Sequence, residues 1–286
     1  VQQRNIINDI WKKDKMSLVD TDWLKENINI VKIIDCSWHM PQAQRNGLEE
    51  YDKEHIPNAT FFDLDKNSKL DTDLPHMLTD PRSWEKIMSN MGISNNDRIV
   101  IYDNSDVISS CRCWYNLIYY GHDPKLVHVL NGGLKKWKKE NKITNNKEVI
   151  IKTSIYSCKE NKDLVKNKKQ INENIDTKEF NVFDARSRER FEGKVVEPRE
   201  GLRSGSIKNS FCLPFSELIN NDDHTFISKE KIKAQFRSFK LDLNKNIVFS
   251  CGSGVTASVL ALAYSLIDDK YMPTIYDGSW SEYGRN

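Results

Sequence analysis

The chain has 286 residues, enough for two domains that each bury a core. Its 43 Lys and Arg are balanced by 41 Asp and Glu, so the basic excess of a nucleic-acid-binding protein is missing. No apolar run approaches the roughly 18 residues of a spanning helix, and the first twenty residues lack the apolar stretch of a secretory signal.

In chain order, the first predicted strand is Ile30 to Ile34, ending at Asp35. Tyr51 to His55 leads into a turn at His55-Ile56-Pro57-Asn58 and a second strand that runs on toward Asp63 and Asp65. Residues 66–80 are polar and read as a loop carrying His76-Met77-Leu78. Spacing then predicts a helix over Trp84 to Met91, a strand over Ile99 to Tyr102 ending at Asp103, and a helix over Arg112 to Tyr120. A strand over Val127 to Leu130 is closed by Asn131-Gly132-Gly133, and a further helix starts at Leu134. Strands alternating with helices imply an α/β fold, a mostly parallel sheet with helices on both faces. Residues 141–172, rich in Lys, Asn and Glu, read as a linker. This divides the chain into an N-terminal domain, 1–140, and a C-terminal domain, 173–286.

The second half repeats the first at a near-constant offset. Val182-Phe183-Asp184 answers Ile33-Ile34-Asp35, Ile207 to Leu213 answers Ile56 to Phe62, Ile247 to Cys251 answers Ile99 to Asp103, and Ile275 to Gly278 answers Val129 to Gly132. Cys251 therefore occupies in the second copy the place that Asp103 holds in the first. One copy keeps a nucleophile; the other is expected to be a scaffold that supplies part of the cleft.

The strand Ile247 to Ser250 is followed by Cys251, then Gly252, Ser253 and Gly254, then a helix with Val255, Val259, Leu262 and Leu266 on one face. Glycines let the backbone curl around the sulfur, aiming N–H groups and a helix N-terminus at a thiolate. Such a setting lowers a thiol pKa from its ordinary value of about 8.5. A cysteine at a strand end can also be an inert core residue, but an inert thiol needs no glycine-rich loop. The six cysteines, at 36, 111, 113, 158, 212 and 251, form no paired framework, which predicts reduced thiols in a cytoplasm-like compartment. A mitochondrial leader already removed would leave no trace. Cys111 and Cys113 form a lone C-x-C with no second pair, so a structural zinc site is not expected.

These residues carry a resemblance. C-G-S-G-V-T at 251–256, H-I-P-x-A-x-F-F-D-x-D from His55 to Asp65, His76-Met77-Leu78, Ile33 to Trp38, Glu197-Pro198-Arg199 and Tyr276 to Trp280 are similar to motifs of the two-domain rhodanese family of sulfurtransferases. Within it, C-G-S-G-V-T resembles the members that use 3-mercaptopyruvate; thiosulfate-specific members usually carry basic residues after the cysteine. The resemblance implies two tandem rhodanese-like domains, the N-terminal one catalytically inactive. It also implies transfer of sulfane sulfur from 3-mercaptopyruvate through a Cys251 persulfide to thioredoxin, a small thiol or cyanide, with release of pyruvate. No metal or organic cofactor, nucleic acid or membrane is implied.

By the same resemblance, Arg190 and Arg199 bind substrate, and Ser253, His76 and Asp65 form a proton-moving group, with Asp63 a close competitor of Asp65. The N–H groups of Gly252, Gly254, Val255 and Thr256 are expected to hold the thiolate and the persulfide, and Thr256 doubles as a helix cap. Arg186 and Arg188 read as solvated surface charges. Two departures stand out: Ser206-Ile207-Lys208-Asn209 replaces the usual H-I-P-G, and Asn131 replaces an Asp. Three rivals remain. A thiosulfate sulfurtransferase would need positive charge in the Gly252-Ser253 stretch, a cysteine phosphatase would need an arginine among Val255 to Ser258, and a non-catalytic sulfur carrier would have no use for both arginines.

Overall fold

The computed structural model describes residues 16–242 and 244–285; most of the stretch weighed as a secretory signal lies outside the described residues. The first half forms a sheet of β1 (Leu18–Val19), β2 (Lys32–Asp35), β3 (Ala59–Phe61), β4 (Ile99–Tyr102) and β5 (Val127–Leu130), in the order β1-β5-β4-β2-β3. The second forms a sheet of β6 (Val165–Lys166), β7 (Phe180–Asp184), β8 (Phe211–Cys212), β9 (Asn246–Ser250) and β10 (Ile275–Tyr276), in the order β6-β10-β9-β7-β8. Every pairing is parallel, and the two orders are the same path traced twice. The chain is thus a tandem α/β duplication. Its central strands, β4 and β9, are apolar almost throughout because both faces are covered.

The halves meet through the helices that follow these central strands. All ten residues of Ser110–Tyr119 are buried, as are nine of the eleven in Val255–Ser265. This corrects the one-faced reading of the second helix: its own sheet covers one side and the partner helix another, so Ala257, Leu260, Ala261 and Ala263 are sealed as completely as Val259 and Leu262. Each fully buried Leu or Val contributes about 1.5–3 kcal/mol, which makes the boundary part of the main core.

The Lys- and Asn-rich stretch is not a free tether, and it ends before residue 172. Asn145 bridges to His55, Ser154 N–H bonds to Ser89 and Lys159 N–H to Tyr120, holding the segment along the first half. Val165–Lys166 then joins the second sheet beside Ile275–Tyr276, and the helix Lys168–Thr177 follows, started by an Asn167–Gln170 capping box. The departure at Ser206-Ile207-Lys208-Asn209 leaves its turn intact. Asn209 takes the left-handed position (φ 63°) that Asn58 takes in the first copy (φ 68°), and both asparagine amides reach a backbone carbonyl.

Two matched pins cross the boundary. Asp277 Oδ2 accepts the N–H of Leu78 (2.9 Å), and Asn131 Oδ1 accepts the N–H of Phe226 (2.9 Å). His224-Thr225-Phe226 is the second copy's version of His76-Met77-Leu78, and both histidines are left-handed, with φ of 61° at His76 and 59° at His224. Each pin delivers a histidine to the loop after the other half's central strand: His76 to the Cys251 loop, and His224 to within 3.7 Å of Asp106, just beyond Asp103.

Candidate active site

Cys251 stands at the carboxyl end of β9, the central strand of its sheet, where open parallel sheets present ligands to a crevice. The segment from Tyr276 to Ser281 clamps the loop. Cys251 N–H donates to Ser279 Oγ (3.1 Å), Trp280 N–H to the Cys251 carbonyl (2.9 Å), and Ser281 N–H and Oγ to the Gly252 carbonyl (2.9 and 2.6 Å). Gly254, at φ 79°, turns its N–H onto Cys251 Sγ at 3.1 Å. Only glycine fits there, since a Cβ would lie 2.2 Å from Arg112 Nη1. Of the four residues expected to offer N–H groups to the sulfur, Gly254 places one in hydrogen-bond contact. The helix cap is Gly254 and not Thr256, which lies one residue into the helix.

Cys251 is 2% exposed and lines a cavity of about 270 Å³ together with Gly252, Ser253, Val255, Thr256, Arg190 and Arg199. Trp38, Met40, Val107 and Phe215 give this cavity an apolar wall. A Cβ on Gly252 would be 3.5 Å from both Arg190 Nη2 and Arg199 Nη1, so both guanidinium groups reach the loop. Arg190 is held by Glu197 through Nε (3.2 Å) and Nη2 (2.6 Å). Among the described residues Arg199 makes one long hydrogen bond, Nη1 to Ser281 Oγ at 3.4 Å; burial holds its pKa below the usual arginine value, and the nearby Cys251 sulfur opposes that shift.

Arg186 is not the solvated charge its sequence context suggests. It is buried, bonded to Asp184 (2.7 Å), Glu197 (2.9 Å) and the Gly205 carbonyl (2.8 Å), and lies 4.4 Å over the Trp280 ring. Arg188 does remain near the surface, paired with Glu217. Glu197, quoted in sequence only as part of a motif, is the carboxylate that joins Arg186 to Arg190.

The first half contributes the rest. His76 Nδ1 lies 2.9 Å from Ser253 Oγ, and His76 Nε2 lies 2.9 Å from Asp65 Oδ1. Asp63 instead pairs with Lys66 (3.2 Å), so of the two carboxylates Asp65 is the one beside His76. With Asp65 accepting from Nε2, the free lone pair of a neutral imidazole is at Nδ1, facing the Ser253 hydroxyl. Burial pushes the His76 pKa below its ordinary value against the pull of Asp65, and the hydrogen bond to His76 holds the Asp65 carboxyl low. Trp38, which the sequence motif includes without a role, donates its ring N–H to both Asp65 oxygens (3.2 and 3.1 Å) and meets the imidazole edge-on at 4.6 Å. His76 is buried while Asp65 opens on a second hollow of about 610 Å³, so the chain of contacts runs from the thiol's cavity to an outer groove. In the first copy the corresponding place is filled: Asp103 is buried and accepts the N–H groups of Ser105 and Ser110 at 2.9 Å.

A thiol so placed can take a group from a small anionic donor and hand it on, which makes the chain a cysteine-dependent group-transfer enzyme on a duplicated α/β scaffold. The rhodanese-like domain model matches residues 20–140 and again 167–286, and the chain belongs to the rhodanese family. It is 36% identical over 289 residues to thiosulfate/3-mercaptopyruvate sulfurtransferase 1, mitochondrial, of Arabidopsis thaliana, covering 93% of this chain and 75% of that protein. It is 34% identical over 278 residues to rat thiosulfate sulfurtransferase, covering 94% of this chain and 92% of that one. Among solved structures, SseA from Escherichia coli, titled for the rhodanese fold and catalytic mechanism of 3-mercaptopyruvate sulfotransferases, matches with a TM-score of 0.83 at 30% identity, over 93% of this chain and 99% of that one. The chain is a sulfurtransferase; relatives bearing either donor's name lie at similar identity, so the donor has to be argued from the site's chemistry.

Proposed function

We propose that the chain moves sulfane sulfur from 3-mercaptopyruvate through a Cys251 persulfide to a thiol acceptor or to cyanide, releasing pyruvate. The Cys251 thiolate attacks the donor's sulfur, an S–S bond forms, the C–S bond breaks, and its electron pair leaves as the enolate of pyruvate. Ser253, backed by His76 and Asp65, takes the donor's thiol proton and returns a proton to the enolate carbon. A second thiolate, from a small thiol or a protein such as thioredoxin, then attacks the outer sulfur and frees Cys251. Gly254 N–H steadies the sulfur in both steps. The domain carrying Asp103 makes no persulfide and serves by supplying His76 and Asp65.

The observation that carries this reading is the Ser253–His76–Asp65 relay at the cavity. The transferable sulfur of mercaptopyruvate bears a proton, whereas that of thiosulfate bears none and gains nothing from the relay. Charge agrees: Asp184 and Glu197 offset two of the guanidinium groups of Arg186, Arg190 and Arg199. With the attacking Cys251 thiolate counted, the cavity has no net positive charge left, which suits a donor bearing one negative charge better than a dianion. Initial rates with both donors on one preparation test the choice, with mercaptopyruvate expected to be the better donor; a strong preference for thiosulfate overturns it.

Arg199, which pairs with no carboxylate among the described residues, is expected to hold the donor's carboxylate through two parallel bonds. Arg199→Ala should raise KM for mercaptopyruvate about 10- to 100-fold with a much smaller change in kcat. Arg190→Ala should act in the same direction and more weakly, since Glu197 already neutralises that guanidinium. A steady-state titration of donor reads both; an unchanged KM in Arg199→Ala counts against the assignment. Six thiols free of disulfides suit a reducing compartment such as the cytoplasm, and no helix among the described residues is long and apolar enough to cross a membrane.

A further inference from the structure

Arg112 lies on the helix Ser110–Tyr119 of the first half and is fully buried, yet its guanidinium serves the second half. Nη2 donates to Asp277 Oδ1 (2.6 Å) and to the His76 carbonyl (2.7 Å), and Nη1 reaches the Gly254 carbonyl (3.4 Å). The other oxygen of Asp277 holds the N–H of Leu78, two residues beyond His76. One planar cation therefore grips both the strained, left-handed backbone that presents the imidazole and the glycine whose N–H faces Cys251 Sγ.

The duplication supplies an internal control. The copies keep one offset from the left-handed Ile108 and Gly254 through to the strand residues Val129 and Ile275, so the second copy's counterpart of Arg112 is Ser258 and the first copy's counterpart of Asp277 is Asn131. Asn131 still accepts the N–H of Phe226, so the pin beside Asp103 holds without any ion pair. A buried ion pair is weak evidence for stability in itself; here it occurs only on the side of the boundary where the thiol is.

We propose that Arg112 is a positioning residue which, through the carbonyls of His76 and Gly254 and through Asp277, keeps the imidazole and the Cys251 sulfur in register across the domain boundary. This inference rests on the transfer reaction proposed above.

The test removes the charged pair while keeping bulk at both positions, as the double variant Arg112→Leu/Asp277→Asn. The readout is persulfide formation in a single turnover with mercaptopyruvate, followed by intact mass, because its rate constant does not depend on how much of the sample is active. The amplitude should stay at one sulfur per chain and the half-saturating donor concentration within about threefold, since Arg190 and Arg199 are untouched. The rate constant should fall about 100-fold. If the double variant does not fold, Arg112→Lys serves: it keeps the charge beside Asp277 but cannot span both carbonyls, and the rate constant should fall about 10-fold. A folded variant whose rate constant matches the parent, or which loses amplitude alone, overturns the assignment and leaves the transfer reaction standing. A parent enzyme that acquires no sulfur from mercaptopyruvate or thiosulfate overturns both. If thiosulfate alone loads it, only the donor falls, and the same comparison made with thiosulfate decides the role of Arg112.

Discussion

Cys251→Ser is expected to abolish turnover: after mixing with mercaptopyruvate the intact mass should gain no sulfur and no pyruvate should be released. A serine hydroxyl cannot carry a sulfane sulfur, and its proton is held far more tightly than a thiol's, so the covalent step has no substitute. None of the neighbouring thiols takes over. Burial raises the pKa of Cys36 and Cys111 well above the ordinary value and pushes Cys158 and Cys212 up to about 12, leaving negligible thiolate near neutrality. Cys212 lines no part of the cavity, and its thiol faces the Arg186 carbonyl at 3.6 Å. The loss expected is about 10⁴-fold or more. Near-normal turnover in the variant would place the nucleophile elsewhere, and Cys212 would be the first to replace.

His76→Ala is expected to cost about 10²- to 10⁴-fold in turnover with mercaptopyruvate. With thiosulfate the cost is much smaller, because no proton has to leave that donor's sulfur. The imidazole must be neutral to receive the Ser253 proton, so activity falls as pH drops through the His76 pKa. Burial sets that value below the ordinary imidazole pKa of about 6.5; Asp65 opposes the shift, and Arg112 and Arg199 add to it. The plateau therefore extends to the acid side of that value. Asp65→Asn removes the carboxylate that holds the imidazolium, which lowers the His76 pKa and moves the acid limb to still lower pH. Rate profiles from pH 5 to 8 read this, about the window over which imidazoles titrate. An acid limb that survives unchanged in His76→Ala shows that another group sets it.

The duplication is readable because β4 and the centre of β9, Ile247 to Phe249, are apolar runs buried on both faces, each leading to a loop whose first residue differs between the copies. Asp65, His76, Ser253, Arg190 and Arg199 were singled out from motifs, and the structure brings them to one place. The two-residue strands Leu18–Val19 and Val165–Lys166 are too short to show any alternation, so the linker was drawn through the second of them. Arg186 looked like surface because nothing in R-S-R-E-R says which side chain turns inward; Asp184, two residues earlier, and Glu197, eleven later, decide it. The ties of Trp38 to Asp65 and of Arg112 to Asp277 join residues far apart in the chain, beyond the reach of any periodicity. One signal is in the sequence: superposing the repeats sets Arg112 against Ser258 and Asp277 against Asn131, opposite charges that appear as a pair only once.

The seam between the halves sets how this chain can change over generations. In the proposed reaction the half with the sulfur draws its proton shuttle from its neighbour, and separating the two would also bring the buried face of Val255–Ser265 into water. On that reading the first half is kept by selection on the second, although it forms no persulfide of its own.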